Sequence, residues 1–169
     1  MKKYLVLLNI SALFFLGLSL LMAHPHFNKV VTVKLPGDVE ATVTYQTVPS
    51  NEDRVTRASV GDFLTPRNPK LKLSKESKAG NVLISPGEYI IGAIKNGNND
   101  FTMALYPESI ARGERPDMAK MLKLESEFSA SEGKAPHLLI DISPGSGEME
   151  GRAVLTLHFG SLFLAGALD

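Results

Sequence analysis

The chain has 169 residues, enough for one domain with its own core, and no cysteine. The lack of thiols excludes a disulfide scaffold, a thiolate zinc site, an iron–sulfur cluster and a cysteine nucleophile. Acidic and basic residues number 18 each with no basic stripe, which argues against a nucleic-acid partner and against an acidic-lipid surface.

Lys2 and Lys3 precede an apolar run from Tyr4 to Met22, interrupted only by Asn9, Ser11 and Ser19, and Ala23 supplies a small residue before a cut. That order reads as a secretory signal over residues 1–23, followed by a periplasmic or secreted domain over residues 24–169. Two other readings stay open. Gly17 and Ser19 suit a cut after Ser19, and the apolar run is long enough to remain as an uncleaved anchor, the one route to a membrane.

Within the mature part, Phe27, Lys29, Val31, Val33 and Leu35 fall on one face of a period-two segment, and Pro36-Gly37-Asp38 makes a turn. Val39, Ala41, Val43, Tyr45 and Thr47 then alternate with polar residues, giving a strand–turn–strand unit. Residues 49–70 carry Pro49, Gly61, Pro66 and Pro69 and read as a long irregular connection with a short strand near residues 60–64. Residues 71–73 and 82–84 read as short strands around a turn at Lys78-Ala79-Gly80-Asn81. Residues 88–95 are β-branched and aromatic-rich. Asn96-Gly97-Asn98-Asn99-Asp100 is a strong turn because Asn and Gly tolerate positive φ, and Phe101, Met103 and Leu105 alternate on the return. Residues 107–120 read as a loop. Residues 122–129 alternate and read as a strand rather than as one helix face through Met118, Met121 and Leu122. Residues 137–142, a Gly-rich loop over 143–151, residues 152–159 and a last apolar strand over 161–168 complete the set. Short strands punctuated by turns predict an all-β fold, an antiparallel, immunoglobulin-like β-sandwich.

Four pieces of this pattern resemble the exported bacterial family known as domain of unknown function 2911. They are Ala41-Thr42-Val43-Thr44-Tyr45 leading toward Pro49, Ser85-Pro86-Gly87-Glu88-Tyr89, the strand over residues 101–106, and the terminal hairpin over residues 138–159. The resemblance implies a β-sandwich and no activity.

The chain has no phosphate-binding Gly-Lys loop, His-Glu-x-x-His, Gly-x-Ser-x-Gly elbow or dinucleotide fingerprint. Asp141 alone interrupts an apolar strand, so no paired-carboxylate chemistry can be argued. Tyr45, Tyr89 and Tyr106 suit either core packing or a sugar platform. The methionines form no Met-x-x-Met cluster for Cu(I) and suit core filling.

The histidines His24, His26, His137 and His158 are the candidate metal ligands. A cut after Ala23 makes His24 the first residue, whose α-amino group and ring Nδ1 can chelate one ion. A second imidazole then completes a histidine brace, and these nitrogen donors suit Cu(II). In this one terminal residue the chain is similar to lytic polysaccharide monooxygenases and periplasmic copper chaperones. The other amino-terminal copper motif would use His26 as third residue with a deprotonated amide at the second, and Pro25 has no N–H to lose. If Leu138, Ile140 and Ile142 share a core face with Leu155, Leu157 and Phe159, paired numbers sum to an odd value. His137 and His158 then share the outer face with Asp141 and Thr156. They are directly opposed, with β-carbons about 5 Å apart, if Leu138 faces Leu157, and diagonal after a slip of two. Solvated histidines on a sheet face and at a frayed end are the plainer reading.

The sequence therefore predicts an exported, non-catalytic binding or interaction module whose partner is a small molecule, a metal or an envelope protein. The alternative is a copper-binding protein for storage, delivery or redox chemistry, and a third reading makes the same copper the centre of an oxidative enzyme.

Overall fold

The computed structural model describes residues 26–111 and 113–169. The expected signal segment over residues 1–23 and the candidate ligand His24 lie outside the described residues. The first described unit is β1 (Asn28–Leu35) and β2 (Val39–Gln46), antiparallel with Val31 facing Val43. Pro36 opens the turn between them, and Gly37 and Asp38 follow with φ of 74° and 57°. Asp tolerates that left-handed region better than most residues. Along β2, Val39, Ala41, Val43 and Tyr45 are buried while Glu40, Thr44 and Gln46 face solvent, the signature of a sheet with one covered face.

The large sheet continues through β3 (Phe63–Leu64), β4 (Lys70–Leu73), β7 (Gly87–Gly97), β8 (Asp100–Tyr106) and β9 (Leu122–Lys123). Its order is β1-β2-β4-β7-β8-β9, all antiparallel, with β3 and β4 lying end to end along the same side of β7. β5 (Ser77–Ala79) and β6 (Val82–Ile84) form a small separate hairpin. The second layer is the ribbon of β10 (Ser126–Pro144) and β11 (Ala153–Leu168). Val43, Leu71, Ile91, Met103 and Leu105 from the sheet meet Leu138, Ile140 and Leu155 from the ribbon in one core, and each of these is nearly inaccessible to solvent. The expected all-β antiparallel sandwich is therefore present. Its strands divide seven and two between the large sheet and the ribbon, whereas an immunoglobulin constant domain divides four and three.

The ribbon does not run straight. β11 folds back at Gly160, so that Arg152 before the strand pairs with Asp169 beyond it, and His158 meets Phe163 ring to ring. Alternation changes phase at the bend: Leu155, Leu157 and Phe159 are buried in the core before it, Leu164 and Leu168 after it. Gly160 has φ of 67°, and a Cβ there would collide with the Glu52 side chain, so only glycine fits without displacing a neighbour. Glu52 opens α1 (Glu52–Thr56), and its carboxylate accepts from Ser161 N at 3.0 Å and Ser161 Oγ at 2.7 Å. Lys95 is only 3% exposed and donates to the Thr56 and Ala58 carbonyls at 2.6 and 2.9 Å. Those bonds satisfy carbonyls at the end of the short helix and explain a buried cation without a carboxylate.

Several elements differ from the sequence reading. Ser77–Ala79 is a strand paired with Val82–Ile84, not part of a turn, because only Gly80 and Asn81 are needed to reverse the chain. α1 replaces part of the irregular connection. Its signal is legible in hindsight, since Asn51 caps it by accepting from Arg54 N at 3.1 Å and acids fill the first turn. The Asn98-Asn99 turn joins β7 to β8 as expected, yet neither residue takes a positive φ. The single strand expected over residues 122–129 is broken at Leu124 and Glu125, its first part forming β9 of the large sheet and its second opening β10 of the ribbon.

The hydrogen bonds from Ser161 hold the Glu52 carboxyl below its ordinary value of 4.5. A carboxyl depressed by folding contributes stability that is complete above that ordinary value and lost as pH falls through the lowered one. We expect Glu52→Ala to lower the urea midpoint at pH 7, and the gap from the parent protein to close in increasingly acidic buffer. A gap of constant size from pH 7 to pH 3 would show that the carboxylate does not hold the bend.

Candidate functional site: a groove and a row of histidines

The described histidines gather around one crossing of the chain. Nδ1 of His26 lies 3.2 Å from the Thr47 carbonyl, to which it donates in the tautomer protonated there. His137 forms an antiparallel bridge with Pro49, flanked by bonds from Ser50 N to Pro136 O at 3.0 Å and from Leu138 N to Val48 O at 2.8 Å. His26 and His137 thus flank the two sides of residues 47–50. On the far side of β10, His158 of β11 faces Leu139. This is the register in which His137 and His158 are diagonal rather than opposed, because β10 is bulged between Ala135 and Leu139 where it turns its backbone toward residues 48–50.

Alternation survives through the bulge. Leu138, Ile140 and Ile142 are buried, which leaves His137, Leu139 and Asp141 on the outer face, with Asp141 directly opposite Thr156. Leu139 is 40% exposed. The His158 ring stands edge-on to Phe163 at 5.7 Å, and its Nε2 is buried without a hydrogen-bond partner among the described residues. Among the described residues no three His, Asp or Glu side chains gather closely enough to hold a metal ion, so a site there needs a ligand from outside them. Tyr45, Tyr89 and Tyr106 are all buried and form no platform. Tyr89 donates to the Ser85 carbonyl at 2.7 Å, and burial pushes its phenol up. Met103, Met121 and Met149 are buried as core fillers.

Two concavities lie at opposite features of the ribbon. At the bend, Val55, Phe101, Phe128, Leu157, Phe159 and Leu162 line a wholly apolar notch of about 50 Å³, room for one or two water-sized groups. Where the ribbon's far end meets β1, a groove of about 440 Å³ opens between Val33, Leu35 and Pro36 on one wall and Ile142, Pro144 and Ala153 on the other. Of these two the second falls in the size range of small-molecule pockets, as does an open polar hollow of about 420 Å³ between Asn51, Asp53, Arg54 and Arg57, which lacks the apolar lining. Two cations reach it, Lys34 and Arg152. Arg152 is neutralised: its NH1 donates to Glu125 Oε2 at 2.7 Å and its Nε to the Asp169 carboxylate, bonds that hold its guanidinium above the ordinary value. Lys34 alternates away from Val33 and Leu35 to the outer face, where Glu40 stands directly opposite it, so it lies at the groove's rim and adds no uncompensated charge to it. None of these groove residues was singled out by sequence motifs. The groove comes from two distant strand ends brought together.

Comparison of the chain with family models, curated proteins and solved structures returns no match. The site must therefore be read from its own chemistry.

A buried nitrogen without a partner costs about 1–3 kcal/mol, so His158→Leu, which keeps the contact with Phe163, should leave the urea midpoint unchanged or raise it. A loss above about 2 kcal/mol would mean that Nε2 has a partner beyond the described residues.

Proposed function

We propose that this chain is an exported, non-catalytic binding module of the periplasm or cell envelope, and that its binding element is the groove between β1 and the far end of the ribbon. The observation that carries the reading is a ligand-sized space with a largely apolar lining. That lining suits a group with an apolar body and a polar end left in water at the rim. The lining removes apolar surface from water, which supplies affinity.

The chain has no tryptophan, so Pro144→Trp places a single indole in the groove wall as a reporter. We expect laurate and dodecyltrimethylammonium both to shift its fluorescence saturably. Val33→Asp, which sets a carboxylate in the apolar wall, should weaken laurate by at least about tenfold. An indole that responds to neither amphiphile sinks this reading.

A second reading, copper binding at a free amino-terminal His24, is favoured by the position of His26 and His137 on either side of residues 47–50 and by the unpartnered Nε2 of His158. In it, His24 chelates through its amine and ring, and His26, His137 or His158 adds the further imidazole. Exported protein beginning at His24 should bind Cu(II) at least about a hundredfold more tightly than its His24→Ala variant, since losing the ring nitrogen breaks the chelate and leaves the α-amine to bind alone. Equal affinities, or a first residue other than 24 on amino-terminal sequencing, remove the copper reading.

A further inference from the structure

Among the described residues β1 is an unpaired edge of the large sheet, and its hydrogen-bonding phase is determined. Thr47 N donates to Phe27 O at 2.8 Å, so the odd-numbered residues of β1 turn their backbone toward β2. Glu40, opposite Lys34, confirms the phase, since its own N–H and C=O both go to Ser74 on the far side. Asn28, Val30, Thr32 and Lys34 therefore point their N–H and C=O groups outward, and none has a hydrogen-bond partner among the described residues. The other edges are blunted. β9 has two residues, β10 is bulged and partly paired with residues 48–50, and β11 is broken by its fold-back at Gly160. β1 alone among these edges is eight residues long and unbroken, which makes it the place where a further strand can add.

The two ends of this edge are complementary to each other. At one end Phe27, on the inner face of the sheet, is 63% exposed because the ribbon does not reach over it. At the other end Val33 and Leu35, on the same face, form one wall of the groove. A second copy of β1 laid antiparallel against the first, about a two-fold axis at Val31, sets Val30 opposite Thr32 and Asn28 opposite Lys34. It also sets Phe27 of each copy opposite Leu35 of the other. The outward backbone groups then pair throughout, each exposed Phe27 enters the groove of the other copy, and each Lys34 ammonium meets an Asn28 amide oxygen. No lysine faces a lysine in this register, whereas slips centred on Lys29 or Lys34 would put like charges face to face. From this self-complementarity we infer that the protein forms a two-fold dimer through β1, with Phe27 of one copy occupying the other's groove when no small ligand does. The inference rests on the reading of the groove as the binding element and names its occupant in the ligand-free protein.

Sedimentation equilibrium of the purified protein across a wide concentration range tests it. The mass should rise from one chain to two. Val30→Pro removes an outward donor on an edge that tolerates proline, and Phe27→Ser removes the inserted ring. Each should raise the dissociation constant at least about tenfold with an unchanged circular-dichroism spectrum. Val60→Ser, an exposed valine outside β1, should leave it unchanged. A protein that stays monomeric, or a dimer indifferent to either β1 substitution, overturns the inference. If such a monomer still binds laurate at the Pro144→Trp reporter, the groove reading survives alone. A dimer sensitive to both β1 substitutions, whose reporter ignores laurate, supports the inference and removes the small-ligand reading instead.

Discussion

Ser50 stands where the two layers are joined. Its N–H donates to the Pro136 carbonyl, its hydroxyl donates to the Ala135 carbonyl at 2.8 Å, and the same oxygen accepts from Gly160 N at 2.9 Å. One small residue thus ties the chain leaving the large sheet to both strands of the ribbon. With Glu52 two residues on, it holds β11 at its bend. A sandwich whose second layer is a single hairpin has few ladder bonds to locate that layer, and core contacts alone do not set a register. The bonds at Ser50 do, which is why the bulge in β10 falls beside it.

The junction at Ser50 also sets the shape of the open end. The ribbon is pinned near Gly160 and at residues 136–138, and it covers the middle of the large sheet. It leaves the inner face uncovered at the start of β1, where Phe27 stands exposed, and splays from the end of β1 to leave the groove. A layer too narrow to cover its partner leaves apolar surface at the margins. The groove, the exposed ring and the free backbone edge are three consequences of one mismatch in width between a sheet of seven strands and a ribbon of two.

The same junction gathers the histidines. His26 and His137 meet residues 47–50 from opposite sides because that segment is sandwiched between the start of β1 and the middle of β10, and His158 lies one strand beyond. The spacing belongs to the ladder and would exist with or without metal. A feature the fold does not require is the buried Nε2 of His158, which, like Thr65 Oγ1, has no partner among the described residues, because most buried polar side-chain atoms find one.

The sequence by itself determined the β class, the β1–β2 unit, the β7–β8 hairpin and the core faces of β10 and β11. It also placed His137 and His158 on one outer face. Each of these rests on local information: the two-residue repeat separates a covered side from a wet one, and Pro, Gly and Asn mark where the chain reverses. Tertiary structure alone decided the register that makes those histidines diagonal, the pairing of Ser77–Ala79 with Val82–Ile84, the fold-back at Gly160 and the groove at residues 33–36 and 142–144. Alternation is blind to these. A slip of two residues preserves every inward and outward assignment, so only contacts between distant segments, such as Ser50 with Gly160 and Glu52 with Ser161, can choose among the registers.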